Sequence, residues 1–176
     1  MPVISFSLDT ASINKAVRDL RRYVNSFESK VALVRQRVAE RIRWSAETGF
    51  SSAMVEDIIH GVGPENDVTV ELRNDDTVSV VIANGSQAVF IEFGAGVYYN
   101  GAAGSSPHPW GAQNGYLIGS YGLGKGARKV WGYYVGGVKS KESLTLTHGT
   151  PAAMPMYHGW QEAIQAFDSI VQEVFG

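Results

Sequence analysis

Gly119-Ser120-Tyr121-Gly122-Leu123-Gly124-Lys125-Gly126 is the run with the strongest look of chemistry, since Gly119, Gly124 and Lys125 fall at the spacing of a phosphate-binding loop. That motif needs a Ser or Thr hydroxyl on magnesium directly after the lysine, and Gly126 stands there. It also needs a buried strand before it and a helix after it, whose free N–H groups hold the phosphates. Here only Tyr116-Leu117-Ile118 precedes it, and Ala127 to Val135 reads as strand. A small nucleotide-dependent enzyme is therefore the alternative from another class, and a flexible loop is the preferred reading.

The four histidines, His60, His108, His148 and His158, include no pair at the i,i+4 spacing that sets two metal ligands on one helical face. His108 lies in Pro107-His108-Pro109-Trp110, where the prolines favour a stiff extended segment and a packing or hydrogen-bonding role. There is no cysteine, which removes disulfides and thiol nucleophiles, and no G-x-S-x-G elbow. The acidic pairs Glu56-Asp57 and Asp75-Asp76 read as a helix end and a turn. No catalytic residue, metal or cofactor is expected.

Glu92 stands apart, a carboxylate inside Phe90-Ile91-Glu92-Phe93-Gly94. If the segment alternates, Glu92 faces solvent. If it is buried, it needs a partner, and it then ties down the following loop by accepting backbone N–H groups or an arginine. Gly94 and Gly96 permit the turn after it. Trp110, Trp131 and Tyr133 are candidate contact aromatics, with core packing the competing role for Trp131.

The elements that position these residues follow from periodicity. Ile13, Val17, Leu20, Val24 and Phe27, then Val31, Val34, Val38 and Ile42, recur at helical spacing with no proline between residues 3 and 63. One or two long helices over about 11–47 are predicted, with an N-cap among Asp9-Thr10-Ala11-Ser12, a break at Gly49 and a short helix near 51–59. Residues 68–72 and 78–82 form a hairpin around Asn74-Asp75-Asp76-Thr77, and Asn84-Gly85 marks a further turn. Residues 87–93 are a short helix or strand, and residues 129–135 a strand. A final helix runs over 156–175, with Trp160, Ile164, Phe167, Ile170 and Val174 as its apolar face.

Between Gly94 and Gly137 lie 13 of the 20 glycines, so this stretch is not mostly helix. Residues 94–128 make an extruded loop of a length that implies function, mobility or both. The fold class expected is α+β: a long N-terminal helix or helices, a small antiparallel sheet with an extended Gly-rich loop, and a C-terminal helix, in one domain over 1–176.

The net charge of −2 over 176 residues excludes a broadly basic DNA-coating chain. It conceals blocks of alternating sign: +2 over residues 1–60, −5 over 61–92, +4 over 93–147 and −3 over 148–176. Such blocks suit either a solvated surface or complementary faces that meet between copies. No apolar run approaches a membrane span, and Met1-Pro2-Val3-Ile4-Ser5-Phe6 lacks a signal-peptide layout, so a cytoplasmic origin is expected.

The order of features then becomes informative. A long helical region and a polar hairpin precede Ala88-Val89-Phe90-Ile91-Glu92-Phe93-Gly94-Ala95-Gly96, and a Gly-, Pro- and aromatic-rich excursion follows. His148-Gly149-Thr150-Pro151-Ala152-Ala153-Met154-Pro155-Met156-Tyr157 leads into the last helix. This resembles the small tail-completion (tail-component or minor capsid) proteins of long-tailed bacteriophages and prophages. The resemblance rests on Phe90, Glu92, Phe93, Gly94 and Gly96, more loosely on Pro151, Ala152, Pro155, Met156 and Tyr157, and on the Pro107-His108-Pro109 element. Ala95 stands where the family commonly has threonine, Met154 where it has a basic residue, and Met156 at its phenylalanine position.

The resemblance implies a structural subunit of a ring, usually sixfold, at the neck between head and tail. It would cap the tail tube protein and present a surface to the head-closure protein. A head-closure or other minor capsid subunit is the alternative within structural proteins. Lys125, Arg128, Lys129, Lys139 and Lys141 would face a neighbour's acidic block or make nonspecific contact with DNA in the channel.

Overall fold

Asp9 opens the longest element: its carboxylate accepts the Ser12 N–H (2.9 Å) and caps helix α1, Thr10–Ser52. The computed structural model describes residues 9–55, 57–59, 66–95, 106–115, 130–134 and 138–176, apart from the side chain of Trp131. Both apolar phases predicted for the first third belong to this one 43-residue helix. Gly49 does not break it. A Cβ at Gly49 would lie 2.9 Å from the Cβ of Pro155, so this glycine serves a close approach inside the helix. The break falls at Ala53, where the backbone turns extended and the Asn66 side chain donates to the carbonyl of Phe50 (2.8 Å). The short helix expected near 51–59 is absent from residues 53–55 and 57–59. There Ile58 N–H instead bonds the Leu146 carbonyl at 2.8 Å.

The hairpin forms as expected, one or two residues further along. Strand β1, Thr69–Asn74, pairs antiparallel with β2, Ser79–Asn84, from Thr69 opposite Asn84 to Asn74 opposite Ser79. Asp75 builds the turn by accepting the N–H groups of Thr77 and Val78 at 2.7 and 2.5 Å. Arg35 of α1 then grips the tip through the carbonyls of Asp75 and Asp76 at 2.8 and 3.0 Å.

Residues Ala88–Phe93 resolve to helix α2. Strand β3, Trp131–Tyr134, is as expected, but its partner β4, Leu144–Thr147, is an element the periodicity did not single out. The described strands thus make two separate two-stranded sheets.

Helix α3, Pro155–Phe175, runs antiparallel along α1. Gly49 meets Pro155, Gly159 meets Ile42, Val34 packs with Ile170 and Val174, and the Phe27 ring lies 5.6 Å from that of Phe175. The buried side of α3 is Pro155, Gly159, Ala163, Ile170 and Val174. This corrects the expected apolar face: Trp160, Ile164 and Phe167 are exposed. The second core cluster, Ala46, Phe50, Val70, Ala88 and Ile91, seals the end of α1 against the hairpin and α2. The fold is α+β, as the sequence leads one to expect.

Candidate interaction site

The two segments that carry the family resemblance lie 60 residues apart in sequence and against each other in space. Ala95 N–H bonds the Thr150 carbonyl (2.8 Å), Thr150 N–H returns to Ala95 (3.2 Å), and Ala153 N–H bonds Ile91 (2.8 Å). Gly94 ends α2 with φ 79°, and a Cβ there would come 3.1 Å from the Cβ of Ala152. A glycine is thus required twice, for conformation and for room.

Glu92 locks this clasp. It is buried, with 7% of its surface exposed, and its Oε2 accepts the N–H of Met156 at 2.8 Å while Oε1 accepts that of Tyr157 at 3.0 Å. These are free donors in the first turn of α3. Pro155 has no N–H to satisfy, and His158 N–H already bonds the Met154 carbonyl at 2.9 Å. The helix start itself offers no cap, because Met154 occupies that position in the left-handed conformation, φ 53°. The carboxylate therefore supplies from α2 what the local sequence lacks, and its charge suits the positive end of the helix dipole.

His108 is the third member. Its Nδ1 accepts the N–H of Trp110 at 3.0 Å, which puts the proton on Nε2, and Nε2–H donates to Glu92 Oε1 at 3.0 Å. Both ring nitrogens are therefore engaged, which leaves neither free to act as a general base. The Ser106 hydroxyl donates to the Phe93 carbonyl and accepts the His108 N–H (3.2 Å). Pro107-His108-Pro109 is not extended: Gly111 N–H closes a turn onto the His108 carbonyl (2.8 Å), and the backbone continues into a single 3-10 turn at Ala112–Asn114. The turn faces Phe93 and Tyr157 with His108 and lets Trp110 lie over α3. Ring centroids are 4.5 Å apart for Phe93–His108, 5.2 Å for Trp110–Tyr157 and 5.1 Å for Trp110–Trp160.

This aromatic wall borders an open, largely apolar trough of about 870 Å³, floored by Val34, Val38 and Ile42 of α1 and flanked by Val81 of β2. A second depression of about 380 Å³ continues it along Ile164 and Asp168 and shares Val38, Ile42, Trp160 and Phe167.

Of the residues singled out from sequence, Glu92, Phe93, Gly94, His108, Trp110, Pro155 and Met156 converge here. Phe90 is half-buried in the neighbouring turn of α2, while Pro107, Pro109 and Pro151 are exposed on its flanks. The alternatives for Glu92 resolve to burial, with backbone N–H groups accepted from α3 and the loop held through His108. Tyr133 sits elsewhere, half-buried on β3. Burial pushes its hydroxyl pKa up, the nearby Asp57 carboxylate adds to this, and hydrogen bonds with Gln87 and Thr145 oppose it. Tyr134, on the same strand, is exposed. Gly96, Lys125, Arg128, Lys129 and the phosphate-loop-like run 119–126 lie outside the described residues, as does the Trp131 side chain; Lys139 and Lys141 are exposed.

The sequence pattern marks Trp160 only as part of the apolar face of the last helix and gives no sign of Ser106. The proximity of Trp160 to Tyr157 at helical spacing was the available signal. Asp67, outside the trough, holds the turn before α2. Burial alone would raise its carboxyl, but the Ser86 N–H (2.9 Å), the Ser86 hydroxyl (2.8 Å) and the Gln87 N–H (3.3 Å) outweigh it and hold the pKa below the ordinary range. These bonds fasten the start of α2, and so Glu92, to the hairpin.

Among the described residues no three His, Asp or Glu side chains gather as metal ligands, and no helix is long and apolar enough to cross a membrane. In comparisons with known proteins, the chain matches no family model, no curated protein and no solved structure.

Proposed function

We propose that this chain is a non-enzymatic virion component: a ring-forming subunit, in a hexamer by analogy with the family it resembles, that completes the tail at the phage neck and joins it to the head. The observation that carries the reading is the clasp. The Phe90–Gly94 and Pro151–Met156 segments, short and unremarkable apart, work together as one unit through Glu92. Their joint presence in the chain then has a physical cause, the shared clasp, and this supports the reading. A long helix with an exposed apolar stripe, and a largely apolar trough, suit a protein that binds other proteins.

In this role the trough and the aromatic wall face a second copy, the head-closure protein or the tail tube protein. Lys139 and Lys141 face an acidic neighbour or DNA in the channel. Quantitative mass spectrometry of purified virions tests the reading. A small fixed copy number, about six per particle, is expected. Hundreds of copies would make it a shell or tube subunit, and absence from particles would remove the virion role.

A further inference from the structure

Helix α1 is about 64 Å long and α3 about 31 Å, at 1.5 Å per residue. Because Phe175 ends opposite Phe27, residues 10–26 project past α3 as an arm of about 25 Å. Along the arm Ile13, Val17, Leu20 and Val24 are 40–53% exposed. A free helix of that length is marginal in water, and most helical stability comes from burying an apolar face. The arm cannot fold back onto its own trough. It continues the same helix that floors the trough, and residues 10–52 contain no proline and no glycine before Gly49, so no kink site is available.

The trough lies between α1 and α3, where Trp160, Ile164 and Phe167 present an exposed stripe at i, i+4, i+7. Ile13, Val17 and Leu20 repeat that same spacing on the arm. Charge matches as well. Residues 10–26 hold four basic residues and one acidic, net +3, while α3 holds three acidic and none basic, net −3. Asp168 lies exposed on the trough rim, and Arg18 and Arg21 are exposed on the arm. Glu162 and Glu173 already face Arg41 and Arg37 of the same chain, so Asp168 is the acid best placed for an incoming arm.

We propose that the arm of one copy lies in the α1–α3 trough of the next, a head-to-tail contact in which each copy gives one arm and receives another. Such a heterologous contact closes into a ring when the rotation per copy permits. The apolar stripes supply the burial, and the opposite charges set which way the arm enters. The inference deepens the ring reading and rests on it for closure.

A disulfide trap tests it cleanly, because the chain has no cysteine of its own. Leu20→Cys protein, isotopically labelled, is mixed with Ile164→Cys protein at high concentration and oxidised; both positions are exposed, so the fold is preserved. The mixed cross-link is expected to exceed either like-with-like product at least tenfold, and Val17→Glu on the Leu20→Cys chain should abolish it. A dominant Leu20-to-Leu20 position cross-link would mean that arms pair symmetrically, and no mixed product at all would mean that the trough is not the arm's partner. Either overturns the proposal while leaving the neck reading to the virion measurement. A mixed cross-link from a chain absent from virions would overturn the neck reading alone.

Discussion

A carboxylate buried among Phe90, Ile91 and Phe93 is costly unless its lone pairs are filled, and Glu92 fills them with two helix N–H groups and an imidazole N–H. Glu92→Ala is expected to leave three donors unmet, the His108 Nε2–H buried and the two helix N–H groups part-buried, at a cost of about 1–3 kcal/mol for each one that water does not reach. Glu92→Gln keeps one acceptor oxygen, so a smaller loss of about 1–3 kcal/mol is expected. Urea unfolding of the two variants checks the order; equal and negligible losses would contradict the clasp. That Glu92 would need partners if buried was legible in its apolar neighbours, but whether it is buried was not. Nor was the identity of the partners, because they lie 16 and 64 residues away and Met154 gives no capping signal at the start of α3. His108 was legible as a hydrogen-bonding group, but its flanking prolines pointed to extended chain where the structure makes a turn. The turn depends on Gly111, whose Cβ would sit 2.6 Å from that of Ser106, a contact no local rule contains.

The elements were more legible than their faces. Periodicity located α1, α3 and the hairpin because each repeats its signal over many residues. It erred at Gly49 and on α3 for one shared reason: the two helices meet through small residues. With Gly159 and Ala163 on the contact side, the larger Trp160, Ile164 and Phe167 are left facing out, and a count of apolar residues picks the wrong stripe. Strand β4 escaped notice because its Leu-Thr alternation spans only four residues and its pairing with β3 is non-local. Gly159 tests the account of helix packing. Alanine in an open helix position would stabilise by about 1 kcal/mol over glycine. Here its Cβ would lie 2.8 Å from the Ile42 carbonyl oxygen, so Gly159→Ala is expected to destabilise, by about 1–3 kcal/mol. A rise in melting temperature would mean that the helices are not held this closely.

At the scale of the whole molecule, the described surfaces suit the proposed assembly. One end of α1 carries an apolar arm beyond its own fold, the other end is sealed by a core, and between them the trough and aromatic wall remain open. Alternating charge blocks, legible in the sequence, acquire a geometry here: the positive arm and the acidic α3 lie at different places on one copy, as the proposed contact between copies requires. In the proposed assembly the exposed stripes of arm and trough are covered between copies rather than within the single chain. Sequence alone therefore gave the stripe without its destination. The most direct measurement is electron microscopy of a lysate from a phage that lacks this gene. Filled heads beside unattached tails, especially tails of irregular length, are the predicted result. Emptied heads beside tails of normal length would shift the protein to the head-closure side of the joint, and intact infectious particles would contradict a role in the neck altogether.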